Sequence, residues 1–167
     1  MKKILIIGSG GSGKTTLANR LGEKTGIKVI HLDTLYWKPD WVRTEEAQWQ
    51  KTVSELIAGE EWIMDGNYSR TMEMRMAAAD TVIFLDLPRA ACLWRILKRI
   101  TYYYGKNRPD VAEGCKEKFD LEFLLWIWNY PARTRPKVLA LIEKFKDNIE
   151  IIRLKSSKEV EEFLHQN

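Results

Sequence analysis

Short apolar runs alternate along this chain with stretches in which apolar residues recur three and four positions apart. Lys3 to Ile7 is such a run, closed by Gly8, and predicts a buried strand. A glycine-rich turn follows, then a helix from about Lys14 to Lys24. Gly26 stops it, since glycine tolerates the left-handed cap conformation. Val29 to Leu32 predicts a second strand. Thr44, with Glu45 and Glu46 behind it, predicts a helix start, a hydroxyl cap followed by acids where the helix dipole favours them. Trp49, Val53, Leu56 and Ile57 then keep helical spacing as far as Gly59. Trp62 to Met64 predicts a third strand ending at Asp65, and Thr81 to Leu87 a fourth, with Pro88 opening the next helix.

The remainder reads less evenly. A polar stretch around Gly105 to Lys118 predicts a mobile loop. Asp120 caps an aromatic-rich helix that Pro131 ends, and Pro136 to Phe145 is helical with Val138, Leu141, Ile142 and Phe145 on one face. Ile149 to Leu154 predicts a fifth strand. Ser156 and Glu159 form a capping box for a last helix. Strands alternating with helices imply an α/β fold, a five-stranded parallel sheet with helices on both faces.

Length adds one expectation: 167 residues without repeats or a Pro/Gly/Ser-rich linker read as a single domain spanning 1–167. No apolar run approaches the ~20 residues of a membrane span. The opening MKKILIIGSG has too short an apolar stretch for a signal peptide, so a cytoplasmic protein is expected. Cys92 and Cys115 make no CxxC or metal-ligand pattern and read as reduced structural thiols. The net charge is only +4, yet Arg89, Arg95, Lys98, Arg99, Lys106 and Arg108 fall between Leu87 and Pro109 with no acid among them. Such a segment attracts an anion, either nucleotide phosphates or a nucleic-acid backbone, or else is a solvated basic face.

The sharpest chemical signal lies in the glycine-rich turn. Gly8, Gly13, Lys14 and Thr15 satisfy G-x-x-x-x-G-K-[ST], after an apolar strand and at the start of a helix. That pattern is a P-loop. Gly8, Ser9, Gly10, Gly11, Ser12, Gly13, Lys14, Thr15 and Thr16 are the expected ATP-binding residues, with GTP not excluded. Glycine lets the backbone curl round phosphates with its N–H groups inward, and the helix N-terminus adds a positive dipole end. Lys14 would contact the β- and γ-phosphates, and the Thr15 hydroxyl would ligate Mg²⁺. Asp65, at the end of a neighbouring strand, reads either as the carboxylate that holds Mg²⁺ through its water or as an ordinary loop-starting acid. Asp86 is the second choice for that role.

The runs WIMDGNYSR and ADTVIFLDLPRAACLWRILKR resemble the adenylate kinase superfamily of small P-loop phosphotransferases. The resemblance implies a three-layer P-loop NTPase fold, a helical lid at about 100–135, and an acceptor-binding segment at about 33–60. Arg95 and Arg99 lie seven and eleven residues after Pro88, at the spacing of that superfamily's phosphate-clamping arginines. Residues four apart share a helix face, so both can reach one anion. Arg133 and Arg135, returning from the lid, are expected to meet the transferring phosphoryl group. HLDTLYWKPDW and RPDVAEGCKEKFDLEFLLWIWNYPARTRPK resemble the bacterial topology modulation proteins, the FlaR-like group. That label implies an effect on DNA topology, whereas the motifs imply a small-molecule kinase.

The chain also departs from adenylate kinase. Arg70 falls five residues after Asp65 rather than four and the turn's proline is missing, which weakens an acceptor contact by Arg70. The lid has no four-cysteine zinc pattern. In shikimate-kinase-like relatives an acid near Asp33 binds the acceptor hydroxyl, and a neutral alcohol needs such a proton acceptor. Asp33 reads equally as a strand-end turn acid. Tyr36, Trp37 and Trp41 either stack on an acceptor or pack beneath their loop. The helix around Phe123 to Trp128 either packs on the lid and core or meets a partner. His31 reads as structural and His165 as exposed. Two functions stay open: ATP-dependent phosphoryl transfer to a small nucleotide, nucleoside or other hydroxyl compound, and an ATP-binding protein acting on DNA. A GTPase switch lacks its N-K-x-D element, since Asn107-Arg108-Pro109-Asp110 has no lysine and no strand before it.

Overall fold

Apolar runs with no polar face can be buried only between two layers, and this chain follows that rule. The computed structural model describes residues 1–166; Asn167, the last residue of the expected domain, lies outside them. In chain order the elements begin β1 (Lys3–Gly8), α1 (Lys14–Thr25), β2 (Val29–His31), α2 (Leu32–Tyr36), β3 (Trp37–Lys38), β4 (Val42–Arg43) and α3 (Glu46–Ile57). They continue with β5 (Trp62–Asp65), α4 (Ser69–Ala78), β6 (Thr81–Leu85), α5 (Arg89–Tyr103), α6 (Leu121–Arg133), α7 (Arg135–Phe145), β7 (Glu150–Leu154) and α8 (Ser157–Gln166).

Five of the strands form one parallel sheet in the order β2-β5-β1-β6-β7. Ile4 and Ile6 of central β1 face a cluster built with Leu17 and Leu21 of α1, Ile96 of α5 and Leu164 of α8. Leu5 and Ile7 face the opposite cluster, with Met72 and Met76 of α4 and Val138 of α7. All four β1 residues are fully buried, each contributing roughly 1.5–3 kcal/mol of burial. The result is three layers, helices on both faces of a parallel sheet. Because β1 has β5 on one side and β6 on the other, a crevice opens at its carboxyl end, where such sheets bind ligands.

Several local expectations are corrected. Thr44 does not cap a helix. Its hydroxyl donates to the Tyr36 carbonyl at 2.6 Å and closes the β3–β4 hairpin, so α3 starts at Glu46. Leu32 begins α2 instead of extending β2, and β6 ends at Leu85. Residues 105–118 are not an open loop, since bridges Tyr104–Glu117 and Asn107–Lys116 tie them together. Pro131 does not end α6, which runs to Arg133; the missing N–H falls in the last turn, where one lost bond is tolerated. Asp120 does cap that helix, accepting from the Phe123 N–H at 3.0 Å.

Residues 69–78 had no assigned element and form α4, which carries Arg75. This arginine is fully buried and has no carboxylate partner. It donates to the carbonyls of Gly66, Asn67, Tyr68 and Thr71, wrapping the turn after β5 around one guanidinium. Burial pushes it down to about 9, so it stays charged at neutral pH. Arg75→Met should leave these buried carbonyls unpaired and lower unfolding free energy by about 3 kcal/mol, read as a reduced urea midpoint at unchanged slope.

Candidate functional site

The loop between β1 and α1 is built on glycines that nothing else could replace. Gly11, at φ 73°, brings its α-carbon so close to the Cys92 carbonyl that an added Cβ would collide with it. A Cβ on Gly8 would lie 2.6 Å from the Leu85 carbonyl. Gly10 lies under Phe123 and Ile127 of α6. The Ser9 and Ser12 hydroxyls are buried in the loop without an aligned hydrogen-bond partner. Buried hydroxyls of this kind suit a ligand that brings acceptors of its own. Lys14 folds its Nζ back onto the carbonyls of Gly8 (3.1 Å) and Ser9 (2.8 Å). Burial lowers its pKa, and the carboxylates of Asp65 and Asp33 oppose that shift.

Two side chains meet at Asp65. The Thr15 hydroxyl donates to Oδ2 at 2.8 Å, and His31 Nδ1 lies 2.7 Å from Oδ1. The far ring nitrogen, Nε2, reaches Asn19 Oδ1 at 2.9 Å. The hydrogen bond to Asp65 raises the His31 pKa against the opposing effect of burial. His31 is thus a partner of the candidate metal carboxylate, a role its sequence position did not signal. Asn67 had not been singled out either. Its amide pairs with both backbone groups of Gly8, accepting from the N–H at 3.1 Å and donating to the carbonyl at 2.7 Å.

Across the crevice, Asp33 accepts a hydrogen bond from the Tyr68 hydroxyl at 2.5 Å. Withdrawal from water raises the Asp33 pKa; the Tyr68 bond and the charges of Lys14 and Arg108 pull the other way. Tyr68 is pushed far above the usual phenol range, first by burial and then by Asp33. Behind this pair, Tyr36 packs on Tyr68 (centroids 4.5 Å) and on buried Trp49 (5.0 Å), which makes it a wall. Trp37 lies edge-on to Tyr36 and to Trp41, at 5.0 and 5.5 Å.

The arginines separate into groups. Arg95 donates to the Ser12 carbonyl at 3.1 Å and to the Ser157 hydroxyl at 2.9 Å, bracing the glycine loop. Arg99 turns instead to Glu117, with Nε 2.9 Å from Oε2, so the two do not reach one group here. Arg108, buried and marked in the sequence only as one of the basic segment's cations, joins the same carboxylate at 3.2 Å. Arg135 holds Asp86 at 2.8 and 3.0 Å, and Arg153 binds it too, which occupies Asp86 away from the loop. Arg133 is exposed at the end of α6. Arg70 is also exposed and paired with Glu46 at 2.6 Å, so the structure does not bring it into the crevice. Arg89 stacks on Trp128, with its guanidinium carbon 3.8 Å from the ring centroid, and is exposed, as are Lys98 and Lys106 of the basic segment.

Two hollows adjoin these groups. One of about 200 Å³ lies beside the glycine loop, lined by Ser12, Gly13, Thr16, Arg95 and Ser157. The larger, about 310 Å³, lies between the hairpin and the 104–118 loop, lined by Asp40, Trp41, Tyr104, Lys116 and Glu117.

No family model matches the chain, and no curated protein matches it. Solved structures do. Deoxyadenosine kinase from M. mycoides is similar at TM-score 0.50 and 14% identity, over 98% of this chain and 97% of that one. A gluconokinase from Sinorhizobium meliloti 1021 is similar at TM-score 0.52 and 14% identity, over 99% of this chain and 88% of that one. The fold is that of the P-loop NTPases. Among the described residues no helix is long and apolar enough to cross a membrane.

The raised Asp33 pKa has a stability consequence of definite sign. A carboxyl whose folded pKa exceeds its ordinary 3.8 stabilises the fold below that value and loses this contribution as pH rises through the folded pKa. Asp33→Asn keeps an acceptor for Tyr68 and removes the buried charge. Its melting temperature should exceed that of the parent at pH 7, with the gap closing as the pH is lowered to about 4.

Proposed function

We propose that the protein is an ATP-dependent kinase that phosphorylates a hydroxyl group of a small molecule. The observation that carries this reading is the placement of Asp33 and Tyr68 across the crevice from Lys14, Thr15 and Asp65. A proton acceptor thereby faces a phosphate cradle. The alcohol oxygen attacks the γ-phosphorus, its proton passes to Asp33, the bond to the β–γ bridging oxygen breaks, and ADP leaves. Lys14, released from the Gly8 and Ser9 carbonyls, neutralises the β- and γ-phosphates. The loop N–H groups and the Ser9 and Ser12 hydroxyls fill the remaining acceptor positions.

The Thr15 hydroxyl and Asp65 fit a hard cation, one oxygen from each at the mouth of the cradle, and would hold Mg²⁺. Bound there, the ion supplies charge neutralisation to the phosphate oxygens. His31 and Asn19 fix the orientation of Asp65. The hollow beside Thr16 and Ser157 takes the nucleoside half of ATP, and the segment at about 33–60 takes the acceptor. Residues at about 100–135 form the lid, and we place the protein in the cytoplasm as a single domain. Kinship with the adenylate kinase superfamily supports this reading, and so do the two structural neighbours, both kinases by name. The DNA-directed role suggested by the topology-modulation likeness keeps only Arg89, Lys98 and Lys106 of the basic segment, since Arg95, Arg99 and Arg108 are engaged by partners within the chain. We therefore favour the small-molecule acceptor.

A coupled assay of ADP release, run over nucleotides, nucleosides and small hydroxyl metabolites, should reveal one class that raises turnover above slow ATP hydrolysis. Lys14→Ala should abolish both rates. Asp33→Asn should lower the stimulated rate about 10²-fold or more while ATP still binds. Full stimulated turnover in Asp33→Asn would end the proton-acceptor role.

A further inference from the structure

The carboxylate of Glu117 has an unusual setting. Arg99 Nε and Arg108 Nη1 converge on its Oε2 at 2.9 and 3.2 Å, with Arg108 and Glu117 each only 5% exposed. Asp110 is the other acid nearby, 3.5 Å from Arg108 Nε. The distances are those of ion pairs, but the alignment is poor. Arg99 Nη2 reaches Oε1 only at 3.5 Å, and Arg99 Nε, Arg108 Nε, Arg108 Nη1 and Glu117 Oε2 are buried without an aligned hydrogen-bond partner. Two guanidinium groups present more donors than one carboxylate can accept in good geometry. A pair evolved only to hold the loop would be expected to align, because buried, misaligned charges are costly. A phosphoryl group, with three strongly accepting oxygens, would fit the two forks better.

The position of the cluster matters as much as its chemistry. Arg99 lies close enough to Lys14 to act on its charge, and Arg108 close enough to Asp33 to act on its carboxylate. Glu117 is therefore the partner of two arginines, one of which acts on the phosphate cradle and the other on the candidate proton acceptor. Its backbone is fixed there, with Gly105 N–H donating to its carbonyl at 2.8 Å and its own N–H donating to Lys106 at 2.9 Å.

We propose that Glu117 is a built-in stand-in for the transferring phosphoryl group, occupying the oxyanion site of Arg99 and Arg108 until a polyphosphate ligand displaces it. The proposal rests on the phosphotransfer reading above. It makes Glu117 an internal competitor that weakens binding of the anionic ligand and keeps the two arginines folded inward when no ligand is present.

Calorimetric titration with inorganic tripolyphosphate tests this, with ATP titrated in parallel. Glu117→Gln should bind tripolyphosphate on the order of tenfold tighter than the parent. Glu117→Asp keeps the charge but withdraws it by one methylene, and should fall between the two; it serves if the glutamine variant does not fold. Unchanged or weaker binding in a variant of parental melting temperature overturns the proposal, because a purely structural pair loses anion affinity when broken. A parent that binds ATP, with variants no tighter, removes the stand-in alone. A parent that binds no ATP removes the phosphotransfer reading and the stand-in together.

Discussion

A single buried cation organises the turn from which both halves of the candidate site depend. Arg75 projects from α4 into a space without a carboxylate, and four main-chain carbonyls take its place as partners. Three of them belong to Gly66, Asn67 and Tyr68, so the guanidinium sets the path of the chain as it leaves β5. Asn67 then meets Gly8 and fixes where the glycine loop begins. Tyr68, held at a φ of 36° that a tyrosine adopts only under constraint, delivers its hydroxyl to Asp33. The residues facing the glycine loop and those facing Asp33 are thus joined through one guanidinium bound to the backbone of both Asn67 and Tyr68.

The charges in the crevice balance in a way that follows from this frame. Lys14, Arg99 and Arg108 are gathered opposite Asp33, Asp65 and Glu117, and few are open to water. Each cation has a partner within the chain: loop carbonyls for Lys14 and Glu117 for the arginines. Such partners avoid the full desolvation penalty of isolated charges, yet they are weaker than phosphate oxygens. The charged groups of the crevice are thus held in place by contacts within the chain itself.

The sheet and the glycine loop were legible in the sequence because their signals are local. An apolar run, a glycine spacing and a lysine followed by threonine each report a backbone requirement within a few residues. What stayed hidden depends on contacts far apart in the chain. Asn67 pairs with Gly8 across 59 positions, and Arg108 and Glu117 look like members of a polar loop until folding buries them. α4 was missed because TMEMRM puts apolar and polar residues in alternation, and its arginine points inward. Arg70, two positions before Met72, shows the converse: it stood as a candidate acceptor contact although its spacing was one residue off, and the helix carries it outward to Glu46. Thr44 had the right chemistry for a cap, but the Tyr36 carbonyl was the nearer partner.

The hairpin of β3 and β4 shows how strain is distributed across the acceptor side. Asp40 and Trp41 both have φ of 61°, a left-handed conformation that costs roughly 1–2 kcal/mol for a residue with a Cβ. No glycine relieves that turn. What holds it is the 104–118 loop: Asp40 N–H donates to the Gly114 carbonyl at 3.2 Å, and Trp41 Nε1 donates to Lys116 at 2.9 Å. The Cys115 thiol adds a contact to the Lys38 carbonyl at 3.1 Å. The loop residues that make these bonds, 114–116, immediately precede Glu117, so the strained hairpin and the charged cluster are joined through one short segment. Parting the hairpin from the loop would break the contacts that offset this strain, so the left-handed turn at Asp40 and Trp41 and the Arg99–Glu117–Arg108 cluster are held by one set of long-range bonds.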